Sequence, residues 1–201
     1  MNYRSFLFLS ILAFTLSAQA QEDNDGRNTQ AAKPKSTTET ISFNVGPAWI
    51  TSKMYTPSGE YTWKRGLEVG FEFSRVYSKG YGFGFSVLHN STSYPEGKVR
   101  LSYVGPSFVY AGFLSDKWRG MAEIGLGFSI FYDEGSGNES GLGIKYSTGL
   151  EYMLSKDFGI SAKLRSVTVY FGGKQKDFGG DDDEINGVAR VALLLGACFR
   201  F

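Results

Sequence analysis

The stretch from Val191 to Phe201, reading V-A-L-L-L-G-A-C-F-R-F, alternates with a period of two. Val191, Leu193, Leu195, Ala197, Phe199 and Phe201 fall on one face of a strand, and Ala192, Leu194, Gly196, Cys198 and Arg200 on the other. The first face is wholly apolar. Left at the edge of an open sheet in water, such a strand is a template for aggregation, so it calls for a partner strand beside it and an apolar medium in front of it. A closed barrel facing lipid supplies both, because its backbone groups are all paired between strands.

The same period runs from Thr40 onward. Ile41, Phe43, Val45 and Trp49 define a first strand, and Tyr61, Trp63, Leu67, Val69, Phe71 and Phe73 a second. Tyr81, Phe83, Phe85 and Val87 define a third, and Val99, Leu101 and Tyr103, set against Arg100 and Ser102, a fourth. Ala122 to Tyr132, Leu142 to Tyr152 and Phe158 to Leu164 give three more before the last. The resulting fold class is all-β, an antiparallel up-and-down barrel of eight strands. Gly46-Pro47 and Gly105-Pro106 interrupt two strands; a proline cannot donate to a ladder, so a bulge or bend is expected at each.

Connections alternate in length. Ser78-Lys79-Gly80, Ser115-Asp116-Lys117 and Ser155-Lys156-Asp157 read as tight turns, and Thr51–Glu60, Asn90–Gly97, Asp133–Gly141 and Gly172–Asn186 as long loops. Short turns at one end and long loops at the other are the pattern of a transmembrane barrel with periplasmic turns and extracellular loops. A soluble barrel alternates too, but here the second face is dominated by Gly and Ser with single charges, which suits a cramped lumen better than a wet surface. Tyr61, Trp63, Tyr81, Trp118, Tyr132 and Tyr152 lie toward strand ends, where aromatic girdles meet the membrane interfaces.

The N-terminus carries Arg4, an apolar run from Phe6 to Leu16 and the small-x-small sequence Ala18-Gln19-Ala20, the layout of a secretory signal peptide over 1–20. The run is too short to span a bilayer, which takes about 20 residues. Residues 21–39 are almost free of apolar side chains and read as a disordered arm before a barrel over 40–201. Lys and Arg total 21 against 20 Asp and Glu, which gives no electrostatic case for nucleic acid. Cys198 is the only cysteine, so no intramolecular disulfide forms.

An eight-stranded barrel has an interior just wide enough to be filled by side chains. Parity places Glu68, Glu72, Glu123, Glu151, Arg100, Lys145, Lys163, Arg165 and Arg190 inside it. Four negative and five positive groups in so narrow a space must pair, since an unpaired buried charge is expensive. The expectation is a plug of ion pairs, with a gated narrow small-solute pore as the alternative.

Three stretches invite chemistry. His89 and Ser91 share the outward face near the loop end of the third strand, and a His-x-Ser pair could serve as base and nucleophile. The glutamate that would orient the histidine is missing from the next strand, where Val99, Leu101 and Tyr103 are expected outward. Asp181-Asp182-Asp183-Glu184 has none of the ligand spacing of a calcium loop and reads as a solvated loop. The glycines of Asp133–Gly141 precede no helix and cradle no phosphate. No cofactor or metal is called for.

In its last strand, its alternation and its turn pattern the sequence resembles the small OmpX/OmpA-type outer-membrane β-barrel family. His89 and Ser91 separately resemble the catalytic pair of lipid A deacylase barrels. The first resemblance implies an integral bacterial outer-membrane protein, exported through a cleaved signal peptide, with a structural or surface-interaction role and an unidentified surface ligand. It implies outer-membrane lipid and lipopolysaccharide as surroundings. It also implies that the assembly machinery reads Val191, Leu193, Leu195, Phe199 and Phe201 as a sorting signal. The second implies a lipid A-modifying enzyme as the alternative. Cleavage after Ala20 is expected to leave Gln21 as the first residue of protein isolated from outer membranes, which intact-mass measurement checks.

Overall fold

The computed structural model describes residues 37–52, 54–56, 59–61, 64–94, 97–134, 137–171 and 187–201. Ten strands lie among them: β1 (Thr37–Ile50), β2 (Met54–Thr56), β3 (Gly59–Tyr61), β4 (Lys64–Tyr77), β5 (Tyr81–Tyr94), β6 (Gly97–Phe113), β7 (Trp118–Asp133), β8 (Gly137–Met153), β9 (Phe158–Phe171) and β10 (Gly187–Arg200). Eight of them close into an antiparallel barrel in the order β1-β10-β9-β8-β7-β6-β5-β4, while β2 and β3 pair only with each other. The last strand finds the partner its apolar face demands: β10 pairs with β1 from Thr40–Arg200 to Ile50–Arg190.

Residues 1–36, with the expected leader and most of the expected arm, lie outside the described residues, as do Trp63 and the 181–184 acidic run. β1 opens at Thr37, three residues ahead of the expected start. Tyr61 belongs to the β2–β3 hairpin and not to the second barrel strand, which begins at Lys64.

Two of the four expected long loops are not loops. β5 continues to Tyr94 and β6 starts at Gly97, and β7 continues to Asp133 with β8 starting at Gly137. The strands are accordingly long, 17 residues in β6 and β8. At about 3.3 Å per residue and a tilt of about 40°, such a strand climbs about 43 Å, well beyond a lipid-facing band about 25 Å tall. The loop-side ends therefore stand clear of the membrane.

The prolines do not shift the register. Pro47 pairs with Leu67 of β4, and the β1–β10 register is the same at Val45–Leu195 and at Ala48–Ala192. Pro106 likewise pairs with Phe85 of β5, with the β6–β7 register unchanged across it. Each proline leaves a gap in one ladder without adding a residue, so no bulge forms and the parity holds.

Within the membrane-height portion the outer face is apolar. Leu195 is 69% exposed and Phe83 62%, and Phe43, Leu126 and Leu193 stand with them. Toward the short turns this band ends in aromatic contacts, Trp118–Tyr152 at 4.9 Å and Phe158–Phe199 at 5.1 Å between ring centroids. Above it the two faces exchange chemistry. Val99, Leu101 and Tyr103 of β6 point inward and Arg100 points outward, opposite to the sequence-based expectation. The cause is the height of the segment. In the part that stands in water, apolar side chains minimise exposure by turning into the barrel, as they would in a soluble one.

Replacing Leu101 by Ala is expected to destabilise the barrel by about 2–5 kcal/mol, as for a buried leucine. Arg100→Gln should stay within about 0.5 kcal/mol, as for an exposed site. Urea titration of the refolded protein in detergent micelles checks the pair.

Candidate functional site

The lumen is built in layers. At the loop-side end, Ile50, Leu88, Val99, Leu101, Tyr103, Phe131, Val167, Val169, Phe171 and Val188 form one buried apolar cluster drawn from six strands. Phe131 and Phe171 meet at 5.7 Å between ring centroids. The Tyr103 ring packs so close to the backbone of two glycines that a Cβ on Gly127 or Gly143 would come within 2.8 Å of its carbons. Only glycine leaves room for it there. At the short-turn end a smaller cluster of Val76, Val109, Ala111 and Met121 fills the interior.

Between the clusters lies a charged layer centred on Glu72 of β4. Its carboxylate accepts from Arg165 at 2.6 Å, Lys163 at 2.6 Å, Asn44 at 3.0 Å and Lys145 at 3.4 Å. β4 and β8 stand four places apart in the ring of eight, so the Lys145–Glu72 pair spans the full width of the barrel. Lys145 also donates to Glu123 at 2.5 Å and to Ser86 at 2.6 Å. Arg165 reaches Glu68 at 2.7 Å, and Arg190 also pairs with Glu68. Nearer the short turns, Arg119 donates to Glu151 at 3.1 Å and to Thr40 at 3.4 Å.

Eight of the nine charged residues expected in the lumen are there and buried. The ninth, Arg100, is outside, where its guanidinium lies 5.6 Å from the centre of the Tyr132 ring. Arg119 takes the fifth positive place. A strand start placed at Ala122 hides it, although the parity of Glu123 and Met121 carries back to it. The apolar cap is missed for a like reason. Continuing the inward parity of Lys163 and Arg165 leads directly to Val167, Val169 and Phe171.

On the outer face, Nδ1 of His89 shares a hydrogen bond of 3.0 Å with Oγ of Ser102, its cross-strand partner. Ser91 sits one step nearer the rim, opposite Arg100. The outward residues of β6 beside the His-x-Ser pair are therefore Arg100 and Ser102, not the apolar trio expected there. His89 has a hydroxyl where a triad histidine would have a carboxylate. No group of three or more His, Cys, Asp or Glu able to hold a metal ion occurs among the described residues.

No family model and no curated protein matches the sequence. The architecture does have solved counterparts. Neisserial surface protein A (NspA) aligns at 16% identity with a TM-score of 0.54, over 83% of this chain and 98% of its own. Ail, the attachment invasion locus protein of Yersinia pestis, aligns at 15% and 0.51, over 83% and 100%. The outer membrane enzyme PagL aligns at 14% and 0.50, over 78% and 97%. Identities this low speak for the fold alone. The chain is a small eight-stranded β-barrel of the bacterial outer-membrane type.

Glu72→Gln would leave Lys163 without a carboxylate partner in a buried layer and take from Lys145 and Arg165 one of the two that each holds. Breaking a buried pair from one side costs about 3–5 kcal/mol, and this variant should lose at least that much in urea unfolding of the detergent-refolded barrel.

Proposed function

We propose that this protein is a non-conducting, non-enzymatic barrel of the bacterial outer membrane that holds its projecting rim rigidly at the cell surface for contact with other molecules. One observation carries the reading: the lumen is closed twice, by the loop-side apolar cap and by the Glu72-centred ion-pair layer beneath it. An ion entering from the loop side would have to cross tightly packed apolar side chains and then break pairs that are already matched. Neither arrangement serves transport. The cap stiffens a wall that stands in water without lipid to support it, and the ion pairs brace the barrel at membrane height.

The His89–Ser102 bond supports the absence of catalysis, because among the described residues a hydroxyl and not an acidic group meets the imidazole that would serve as base for Ser91. Two proteins of the same fold bear names that refer to the surface or to attachment, and one is an enzyme, so the fold accommodates either role. Export through a signal peptide over residues 1–20 and recognition of the β10 apolar face by the barrel-assembly machinery belong to the same reading. So does contact of the rim with a surface ligand.

Planar-bilayer recording tests it. The wild-type protein should give no discrete conductance steps. A Leu101→Gly, Phe131→Gly double variant, opened at the cap, should still be sealed by the ion-pair layer. Reproducible steps from the wild type would overturn the non-conducting reading. Release of fatty acid from lipid A by the wild type, abolished by Ser91→Ala, would overturn the non-enzymatic one.

A further inference from the structure

Two arginines cross the short-turn mouth of the lumen in opposite directions. Arg119 leaves β7 and donates to Oγ1 of Thr40 on β1, and Arg200 leaves β10 and lies 5.0 Å from the centre of the Phe113 ring on β6. The strands of each pair stand four places apart in the ring of eight, so each side chain spans the barrel. They meet at one carboxylate. Oε2 of Glu151 accepts from Arg119 at 3.1 Å and stands 3.9 Å from Nη2 of Arg200, too far for a hydrogen bond. Among the described residues no other buried carboxylate is free to help, because Glu68, Glu72 and Glu123 are held by Lys145, Lys163, Arg165 and Arg190 higher in the lumen. Two guanidiniums therefore share one carboxylate and leave one positive charge over.

The polar atoms at this place are unpaired as well as unbalanced. Nε and Nη2 of Arg200 and Oε1 of Glu151 are buried, and none of them has a hydrogen-bond partner among the described residues. Nε and Nη2 form one edge of the guanidinium, the edge that grips two oxygens of an anion side by side. Water reaches the place from the short-turn side, for the Arg200 side chain is 15% exposed and Phe113 42%. What fits here must satisfy both kinds of atom at once. It needs negative charge and acceptor oxygens for the guanidiniums, and one donor hydrogen for the carboxylate oxygen. Chloride and sulfate bring charge and no proton, and either would set lone pairs against Oε1. Hydrogenphosphate brings both. A phosphate monoester at neutral pH does not, because its last proton leaves at about pH 6.

We infer that the short-turn mouth of the lumen is a binding site for inorganic hydrogenphosphate, with Arg119 and Arg200 donating to its oxygens and its own hydroxyl donating to Oε1 of Glu151. The Phe113 ring holds the Arg200 guanidinium in place from across the barrel. The bound ion takes up the positive charge that Glu151 leaves over and pairs the orphaned edge of Arg200. Binding there leaves the Glu72-centred layer above it closed, and requires only that the short-turn end meets water.

Isothermal titration calorimetry of the refolded full chain in detergent micelles tests it, at neutral pH and constant ionic strength, with sodium phosphate, sodium sulfate and glycerol phosphate as the three probes. The wild type should bind phosphate at least about tenfold more tightly than either sulfate or the ester. Arg200→Gln should lose at least about tenfold in phosphate affinity while still migrating as a folded barrel. Arg75→Gln, a cation at the same end that is already paired with Glu39, should change nothing. Glu151→Gln, whose amide can donate, should bring sulfate level with phosphate. Should that variant fail to fold, the wild-type preference and Arg200→Gln decide on their own. Absence of saturable phosphate binding, equal affinity for phosphate and either control, or an unchanged affinity in Arg200→Gln would each overturn the inference.

Discussion

A strand that passes from lipid into water must exchange the chemistry of its two faces, because whichever face meets the medium has to match it. β6 does this within one unbroken ladder. Near the short turns it shows Val104 and Phe108 to lipid and keeps Ser107 inside, and near the rim it shows Lys98 and Arg100 to water and keeps Val99 and Leu101 inside. β9 follows the same rule, with Lys163 and Arg165 inside at membrane height and Val167, Val169 and Phe171 inside above it. The apolar cap, the charged layer and the basic outer face all follow from this exchange.

The charged layer is best understood through what surrounds it. Salt bridges between buried groups gain little over well-packed apolar side chains, since desolvation offsets most of the attraction. At membrane height, however, the outer face is already committed to lipid and the inner one is narrow. Small Gly and Ser positions such as Gly70 and Ser86 make room for a few long side chains, whose charges then have to be matched. Glu72 is matched by three cations from β8 and β9, which ties walls that no ladder joins. Closure by hydrogen bonds fixes the circumference of the barrel, and these pairs fix its cross-section.

Much of this was legible before the structure. The apolar face of Val191–Phe201, the strand count, the three tight turns and eight of the nine lumen charges follow from a period of two and from turn chemistry. What misled was equating apolar with outward along a whole strand. That holds for Leu193 and Leu195, which stand in lipid, and fails for Val99, Leu101 and Tyr103, which stand above it. Polar composition also misled at Asn90–Ser93, which reads as a loop but is strand, its serines outward and Asn90 and Thr92 buried inside, where Thr92 donates to Asn90 at 3.1 Å. The His89–Ser102 contact needed the β5–β6 register, which two-residue spacing between Tyr94 and Gly97 sets and composition does not.

The pairing of β1 with β10 also has a temporal side. Thr40 meets Arg200 and Trp49 meets Val191, so the closing seam joins residues separated by most of the described chain. The interior repeats the pattern, with Glu68 of β4 held by Arg190 and Arg165. Long sequence separation between contacting residues slows folding, because loop entropy is lost before the contacts form. Neither the seam nor the pairs around Glu68 can be completed until the last strand has arrived. The barrel should therefore form late and all at once, with its charges unmatched and its edges open until the final step.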